Sequence, residues 1–352
     1  MIAATLTALV LAGAAGAPTL PVSATAGCTA APTRAALVGG AWACTITAAE
    51  RVALPGDAVT VAAGSYPQAR ITASGTETAP IVVTAVPGTV TVDAGPSGGN
   101  GLGISGVSDV QISGLDVTGG SAQAVWVNAS QRISLSSLTV SGSAVHGVQV
   151  NNSQNIAITS STITANQSTG IMETGSDSGD VYTDDIVSHN GTGGPQYLGS
   201  GIEVGGTGTR IVGCTITDNG VSKLYEHGVY VAAVADGWSI TGSTISGSSG
   251  ADVKAAGSNG TISTSTLGPS RLGVYASGVG VTLSQVQIRG SFRDGLVVAH
   301  GSTLLAQSVV SNDAVGYGKQ ARAALVYGGG RLHVTASTLL LRGVPVKPTR
   351  IP

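Results

Sequence analysis

The phrase His146-Gly147-Val148-Gln149-Val150 decides the fold, because it returns. Its form is a small or turn residue, then Gly, then an apolar-x-apolar triplet. Upstream it reads Asn100-Gly101-Leu102-Gly103-Ile104 and Gln123-Ala124-Val125-Trp126-Val127. Downstream it reads Thr169-Gly170-Ile171-Met172-Glu173, Ser200-Gly201-Ile202-Glu203-Val204 and His227-Gly228-Val229-Tyr230-Val231. It continues as Ala251-Asp252-Val253-Lys254-Ala255, Leu272-Gly273-Val274-Tyr275-Ala276 and Asp294-Gly295-Leu296-Val297-Val298, and closes at Ala323-Ala324-Leu325-Val326-Tyr327. The steps between first positions are 23, 23, 23, 31, 27, 24, 21, 22 and 29 residues.

A second phrase lies between these, as in Asn155 to Thr164, Arg210 to Thr217 and Trp238 to Ser246. Each unit therefore holds two or three strands of three to five residues, separated by Gly, Ser and Asn turns. No single unit can bury its apolar face, but stacked units can. Strands this short, returning every ~23 residues with no helical period between them, form parallel sheets wound into a solenoid. The reading is an all-β chain: a right-handed, single-stranded parallel β-helix of ten to eleven coils, with neighbouring coils about 4.8 Å apart. The Leu/Asn consensus of a leucine-rich repeat is missing, and a propeller blade needs ~40 residues or more.

Composition agrees. Of 352 residues 53 are glycine, charged residues are 10% and aromatics 3%. Apolar residues reach 42%, too many for a disordered chain. The formal net charge is −2, which excludes a nucleic-acid binder acting through bulk charge.

Residues 1–26 are small and apolar and end in Ala24-Thr25-Ala26, which reads as a signal peptide cleaved before Gly27. The protein is accordingly expected outside the cell, with no membrane span and as a monomer. Cys28 is placed either to pair with Cys44 in an oxidising compartment or to carry a lipid anchor. Cys214 reads as a buried free thiol inside a strand. Residues 27–98 form a cap and irregular first coils, and 99–352 the regular repeats, in one domain. Thr47-Ala48-Ala49-Glu50 has capping-box spacing and predicts a short helix over the N-terminal end of the core. The segment from Arg342 to Pro352 is expected to lie across the last coil.

The stretches Thr47 to Asp57, Val61-Ala62-Ala63-Gly64-Ser65-Tyr66 and Ser74 to Ala85 resemble the N-terminal part of the chondroitinase-B and alginate-lyase group. More broadly, the chain resembles the pectate-lyase-like superfamily of secreted β-helix proteins. That superfamily includes polysaccharide lyases, hydrolases, uronate epimerases, tailspikes and non-enzymatic surface proteins. In chondroitinase-B-like lyases a lysine and an arginine from neighbouring coils act as base and acid, with calcium neutralising the uronate. Lys254 and Arg271 are similar in kind and placement, which implies the same roles and makes calcium the cofactor to test. The asparagine and glutamate calcium motif of those lyases is not evident, so no metal ligands are assigned.

In each triplet the outer residues point inward and the middle one outward. Read coil by coil, the middle positions are Gly103, Trp126, Gln149, Met172 and Glu203, then Tyr230, Lys254, Tyr275, Val297 and Val326. Stacked, they form one row down a face, bordered by long turns at 188–199 and 219–226. Removing a uronate C5 proton needs a base, a group to quiet the carboxylate and an acid for the leaving oxygen. The catalytic candidates are Lys254, Arg271, Tyr230 and His227: Lys254 as base with its pKa depressed beside Arg271, Tyr230 or Tyr275 as acid, His227 as alternative base or neutraliser. The substrate-binding candidates are Trp126, Gln149, Glu203 and Tyr275. A solvated lysine, turn-filling histidines at His146 and His227, and a packed tyrosine ladder are the plain structural alternatives. Asp177, Asp180, Asp184 and Asp185 read as a solvated acidic loop, with calcium binding as the alternative. The lone adjacent aspartate pair, Asp184-Asp185, opens a second-phrase strand, which argues against a polygalacturonase-like hydrolase. The expectation is a secreted lyase acting on an acidic polysaccharide by β-elimination. The competing readings are a non-catalytic polysaccharide-binding or surface protein, and a uronate C5-epimerase. No nucleic-acid partner is expected.

Overall fold

The computed structural model describes residues 16–25, 27–193, 199–220, 226–312 and 321–351. Three parallel sheets of 13, 12 and 13 strands run the length of the molecule, in about eleven turns. One coil gives a strand to each sheet in order: Ser108–Ser113 to the first, Asp116–Thr118 to the third and Val125–Asn128, the triplet strand, to the second. The next coil repeats this with Gln131–Ser136, Thr139–Ser141 and Val148–Asn151. Register is direct: Val125 pairs with Val148, Trp126 with Gln149 and Val127 with Val150.

The interior is therefore built of columns. Ile112, Leu135 and Ile158 stack in the first sheet, and Val117, Val140 and Ile163 in the third, all essentially inaccessible. Each such side chain contributes roughly 1.5–3 kcal/mol on burial. The glycine of the repeated phrase lies at the corner entering the triplet strand, and the columns explain it. A Cβ at Gly147 would come within 2.7 Å of Ile163 Cγ2, and one at Gly228 within 2.4 Å of Ile245 Cγ2. Asp252 takes this corner in a coil that carries Leu267, not branched at Cβ, where its neighbours carry Ile245 and Ile288.

Corners also need hydrogen-bond acceptors for backbone N–H groups that leave the sheet ladder. Side chains one coil on supply them. Ser143 N–H donates to Asn166 Oδ1 (3.1 Å), Asn166 N–H to Asn190 Oδ1 (3.1 Å) and Asn190 N–H to Asn219 Oδ1 (3.0 Å). This corrects the reading of the acidic stretch as solvated. Asp177, Asp180 and Asp185 are buried, and only Asp184 is exposed. Asp177 accepts from Ser153 N–H at 2.7 Å, Asp180 from Ile156 N–H at 2.8 Å and Asp185 from Ser161 N–H at 2.8 Å.

The N-terminal end carries two short helices, Arg34–Val38 and Ile46–Glu50, the first inside the loop closed by the Cys28–Cys44 disulfide. Cys214 is free and buried. The N-cap of the second helix is Thr45, whose hydroxyl accepts from Ala48 N–H, two residues before the sequence-derived box. Thr47 and Glu50 serve instead as side-chain acceptors for the neighbouring strand: Thr47 Oγ1 takes Arg70 N–H (2.9 Å), and the buried Glu50 carboxylate takes Ala73 N–H (2.5 Å) and the Thr72 hydroxyl (3.2 Å). At the other end Val344–Pro345 pairs antiparallel with Leu340 and Leu341, and Thr349–Arg350 adds a parallel strand beside Leu325 and Val326. The tail thus covers two of the three sheet ends, as expected. Among the described residues no helix is long and apolar enough to cross a membrane.

Upstream of the sequence-derived cleavage point, Thr19–Val22 pairs in parallel with Ala58–Val61, with Leu20 and Val22 fully buried. A chain starting at Gly27 would lack this strand and expose the edge beneath it. Thermal unfolding of chains starting at Gly16 and Gly27 is expected to show the shorter one melting several degrees lower. Equal melting points would mean that the strand adds nothing to stability.

Candidate functional site

The triplet strands place the row as their alternation requires. Trp126 lies between Gly103 and Gln149, Gln149 beside Met172, and Met172 beside Glu203. Glu203 pairs with Tyr230, Tyr230 with Lys254 and Lys254 with Tyr275. From Trp126 to Tyr275 these side chains are all partly exposed on one face. Arg70, which the sequence reading left out, begins the row below Gly103. Its guanidinium fills the space a Cβ at Gly103 would need, and donates to Asn100 O (3.2 Å) and Gln68 Oε1 (2.7 Å).

At the far end the register differs from the sequence reading. Val297 pairs with Leu325, not Val326, and both are buried. The face therefore stops being a polar surface after Tyr275. Residues 194–198 and 221–225, central to the two long turns expected to wall the groove, lie outside the described residues.

The row has two chemically distinct halves. Around Trp126 the neighbours are amides and hydroxyls already bonded to one another. Gln149 accepts from Gln123 Nε2 at 2.5 Å and donates to Thr174 Oγ1 at 3.2 Å. One column over, Asn151 donates to Asn128 Oδ1 at 2.7 Å and accepts from Thr174 Oγ1 at 3.0 Å. Around Lys254 the groups are ionisable. Its Nζ lies 4.8 Å from the Tyr230 ring centroid, within cation–π range. Burial raises the Glu203 carboxyl above its ordinary value, partly offset by the Lys254 charge. Burial and the Glu203 charge raise the Tyr230 phenol. Burial, with the Tyr327 hydroxyl 2.9 Å away, pushes Tyr275 up to about 12. Both row tyrosines thus hold their protons at neutral pH. Tyr327 was missed because it lies 52 residues from Tyr275. It reaches Tyr275 across the intervening coil, whose place in the row is the small Val297.

His227 and Arg271 stand apart from that cluster. His227 is buried at the corner before its strand, with its ring centroid 6.0 Å from that of Tyr230. Nδ1 accepts Ala251 N–H at 3.0 Å, so the neutral ring carries its proton on Nε2. Burial, then the Lys254 charge, lower it to about 3, so it can offer a hydrogen bond but not a cation. Arg271 precedes Tyr275 by four residues, roughly 13 Å along an extended strand. Because Tyr275 is registered on Lys254, Arg271 is offset from Lys254 by a similar distance.

The sequence reading also missed a buried acid on the inner side of the same sheet. Glu173 follows Val150 in an inward column. Its carboxylate accepts from Tyr182 Oη (2.8 Å), Gly206 N–H (2.9 Å), Gly205 N–H (3.1 Å) and the Thr209 hydroxyl (3.0 Å). Among the described residues no group of three or more His, Cys, Asp or Glu side chains could hold a metal ion. The Asp177 to Asp185 carboxylates serve backbone N–H groups instead, so this set does not fit calcium.

The family model described as "Right handed beta helix region" matches residues 81–209. The protein is a right-handed parallel β-helix. Among solved structures, native GH136 lacto-N-biosidase from Eubacterium ramulus superposes with a TM-score of 0.66 at 9% identity, covering 90% of this chain and 68% of that one. The Dettilon tailspike protein gives 0.50 at 12% identity, over 80% of this chain and 53% of that one. Pectate lyase Pel9A gives 0.49 at 14% identity, over 92% and 79%. The β-helix thus spans about half the length of that tailspike. A search of the curated proteins returns no match. The likeness is one of fold.

The buried acids give the β-helix a pH signature. Burial raises Glu173 from 4.5 to about 7, Asp185 from 3.8 to about 7 and Asp180 from 3.8 to about 8. The folded chain holds protons that the unfolded chain releases, so their contribution is full below about pH 4 and lost as pH rises to 7–8. Burial lowers His146 and His227 from 6.5 to about 4 and about 3, so theirs is present above pH 6.5 and lost on acidification. Above 6.5 the acids alone still change. Stability is expected to fall between pH 6.5 and 8. Asp180→Asn, which keeps the acceptor for Ile156, should recover on the order of 1–2 kcal/mol at pH 8. Thermal melts at both pH values check this; an undiminished decline in the variant would place the titration elsewhere.

Proposed function

We propose that this β-helix is a secreted, carbohydrate-active protein that cleaves an acidic polysaccharide by β-elimination along the row from Trp126 to Tyr275. The observation that supports it best is the in-register run Glu203, Tyr230, Lys254, Tyr275, one side chain per coil on an open face. An extended glycan laid along the solenoid axis would meet one such side chain about every 4.8 Å. Trp126 offers a stacking surface and Gln149 amide hydrogen bonds to neutral sugars. The Cys28–Cys44 disulfide is consistent with an oxidising, extracellular setting.

In this reading Lys254, once deprotonated, takes the C5 proton of a uronate. The C4–O bond breaks as the C4=C5 double bond forms, and the leaving oxygen takes a proton from Tyr230 or Tyr275. Both tyrosines are protonated at neutral pH, as an acid must be. Base and acid project from the same face, so they suit removal of proton and leaving group from one side of the ring. His227 packs behind Tyr230 as a neutral ring whose Nε2 is buried and, among the described residues, unbonded. Arg271 lies outside the reacting groups, and no step is routed through calcium.

The second reading, a polysaccharide-binding protein without catalysis, draws on the Trp126 half, where the amides are already bonded to one another and no acid–base pair is present. Absorbance of the unsaturated uronate separates the two readings, using purified protein with alginate, pectate, chondroitin and hyaluronan, with and without added calcium. Product is expected from at least one polymer, and Lys254→Ala and Tyr230→Phe should each lower its rate about 100-fold or more. No product from any polymer would leave the binding reading, and unchanged rates in both variants would move the chemistry off this row.

A further inference from the structure

The near-neutral net charge conceals a strong polarity along the axis. Residues 271–352 contain nine Lys and Arg against two Asp and Glu, whereas the preceding 270 contain seven against sixteen. The excess of positive charge is concentrated in space as well as in sequence. Arg293 N–H donates to Arg271 O at 3.0 Å, and Arg322 N–H donates to Arg293 O at 3.0 Å. Three arginines thus follow one another, coil upon coil, at the corner entering the triplet strand. Asn312 Nδ2 ties the corner together by donating to Arg293 O (2.8 Å) and Arg322 O (3.0 Å).

Like charges stacked on adjacent strands repel, and among the described residues one carboxylate, Asp294, lies within ion-pair distance of two of the three. Asp294, itself buried, takes Arg322 in a two-pronged pair at 2.7 and 3.2 Å. Arg293 Nε lies 3.4 Å from the same carboxylate without making a hydrogen bond. Among the described residues Arg271 has no carboxylate partner, and its Nε is buried without a hydrogen-bond acceptor. A further acid of this region, Asp252, is fully buried against the Ser270 hydroxyl, and burial holds its carboxyl well above the usual range. Among the described residues the corner is thus short of counter-charge.

We propose that Arg271 and Arg293, backed by the Arg322–Asp294 pair, form an anion-binding corner that receives the carboxylate or sulfate-ester groups of an acidic glycan. Guanidinium forks match both groups in shape and charge. Arg271 leads into the strand that carries Tyr275 and stands roughly 13 Å to the side of the row, so a glycan on the row would reach the corner by crossing that strand or through a side branch. The proposal rests on the glycan reading of the row but not on catalysis there. It also gives the polymer a direction, with neutral contacts at Trp126 and charged ones at the arginines.

The test is equilibrium binding of the full chain to polygalacturonate, dextran sulfate and neutral dextran of matched length, at two salt concentrations. Binding to one or both polyanions and not to neutral dextran is expected, and the polyanion preferred names the group. Arg271→Gln/Arg293→Gln, which leaves the Arg322–Asp294 pair intact, should weaken polyanion binding tenfold or more and flatten its salt dependence. Arg51→Gln/Arg210→Gln removes the same charge from exposed positions elsewhere and should leave binding within twofold. Equal weakening by both pairs would reduce the effect to bulk charge and overturn the proposal, as would an unweakened corner variant that melts like the parent. Single-stranded oligonucleotide bound as tightly as the polyanionic glycans would overturn the assignment to a glycan. Polyanion binding that depends on the corner without any unsaturated product would retain this inference while removing the lyase reading.

Discussion

Hydrogen bonding between parallel strands one coil apart is the constraint on which everything else in this molecule depends. It places each residue directly above its counterpart about 23 positions earlier, so like must tolerate like along the axis. The interior meets this demand with columns of branched aliphatics, and those columns leave no room for a Cβ at the entering corner, as Gly147 and Gly228 show. The corner N–H groups, which have left the ladder, then require an acceptor from the next coil. Serine, asparagine or aspartate supplies it, according to how far the side chain must reach.

The same constraint turns scattered single residues into surfaces. Trp126, Glu203, Lys254 and Tyr275 are remote in the chain but share a face because each is the middle residue of its triplet. Stacking also concentrates charge, and the molecule responds in two ways. Inside, acids such as Glu173 and Asp180 are tolerated where backbone and hydroxyl donors meet them, at the expense of a raised affinity for protons. Outside, among the described residues, the arginines of the last coils share a single buried carboxylate, Asp294, and the solenoid acquires an electrostatic direction that its overall composition hides.

The row is also asymmetric in what its members have left to offer. The amides near Trp126 satisfy one another, so their value to a ligand lies in shape and stacking. Farther along, the Lys254 charge acts on the Glu203 carboxyl and the Glu203 charge on the Tyr230 phenol, as happens where ionisable groups are gathered for chemistry. Where the row passes into buried Val297 and Leu325, the polar face ends and the arginine corner beside it becomes the continuing polar feature.

By itself, the sequence determined the coil and most of the row. An apolar-x-apolar triplet recurring at 23-residue steps admits one winding, and alternation within a strand then decides which residue faces out. The helical cap was legible for similar local reasons, whereas the sequence left Cys28 open between a lipid anchor and the Cys44 pairing that the structure shows. The cap's true start at Thr45 was not, because two threonines at equal spacing compete and packing against the strand holding Arg70 chooses between them. Only the tertiary structure could show that Asp177, Asp180 and Asp185 are buried, since the N–H groups they serve lie a full coil away and an isolated acidic stretch looks solvated. Likewise only stacking decided that Leu325 rather than Val326 tops the row, that Tyr327 meets Tyr275, and that three arginines share one corner. These are relations between coils, and the chain between them varies in length, so no spacing along the sequence could express them.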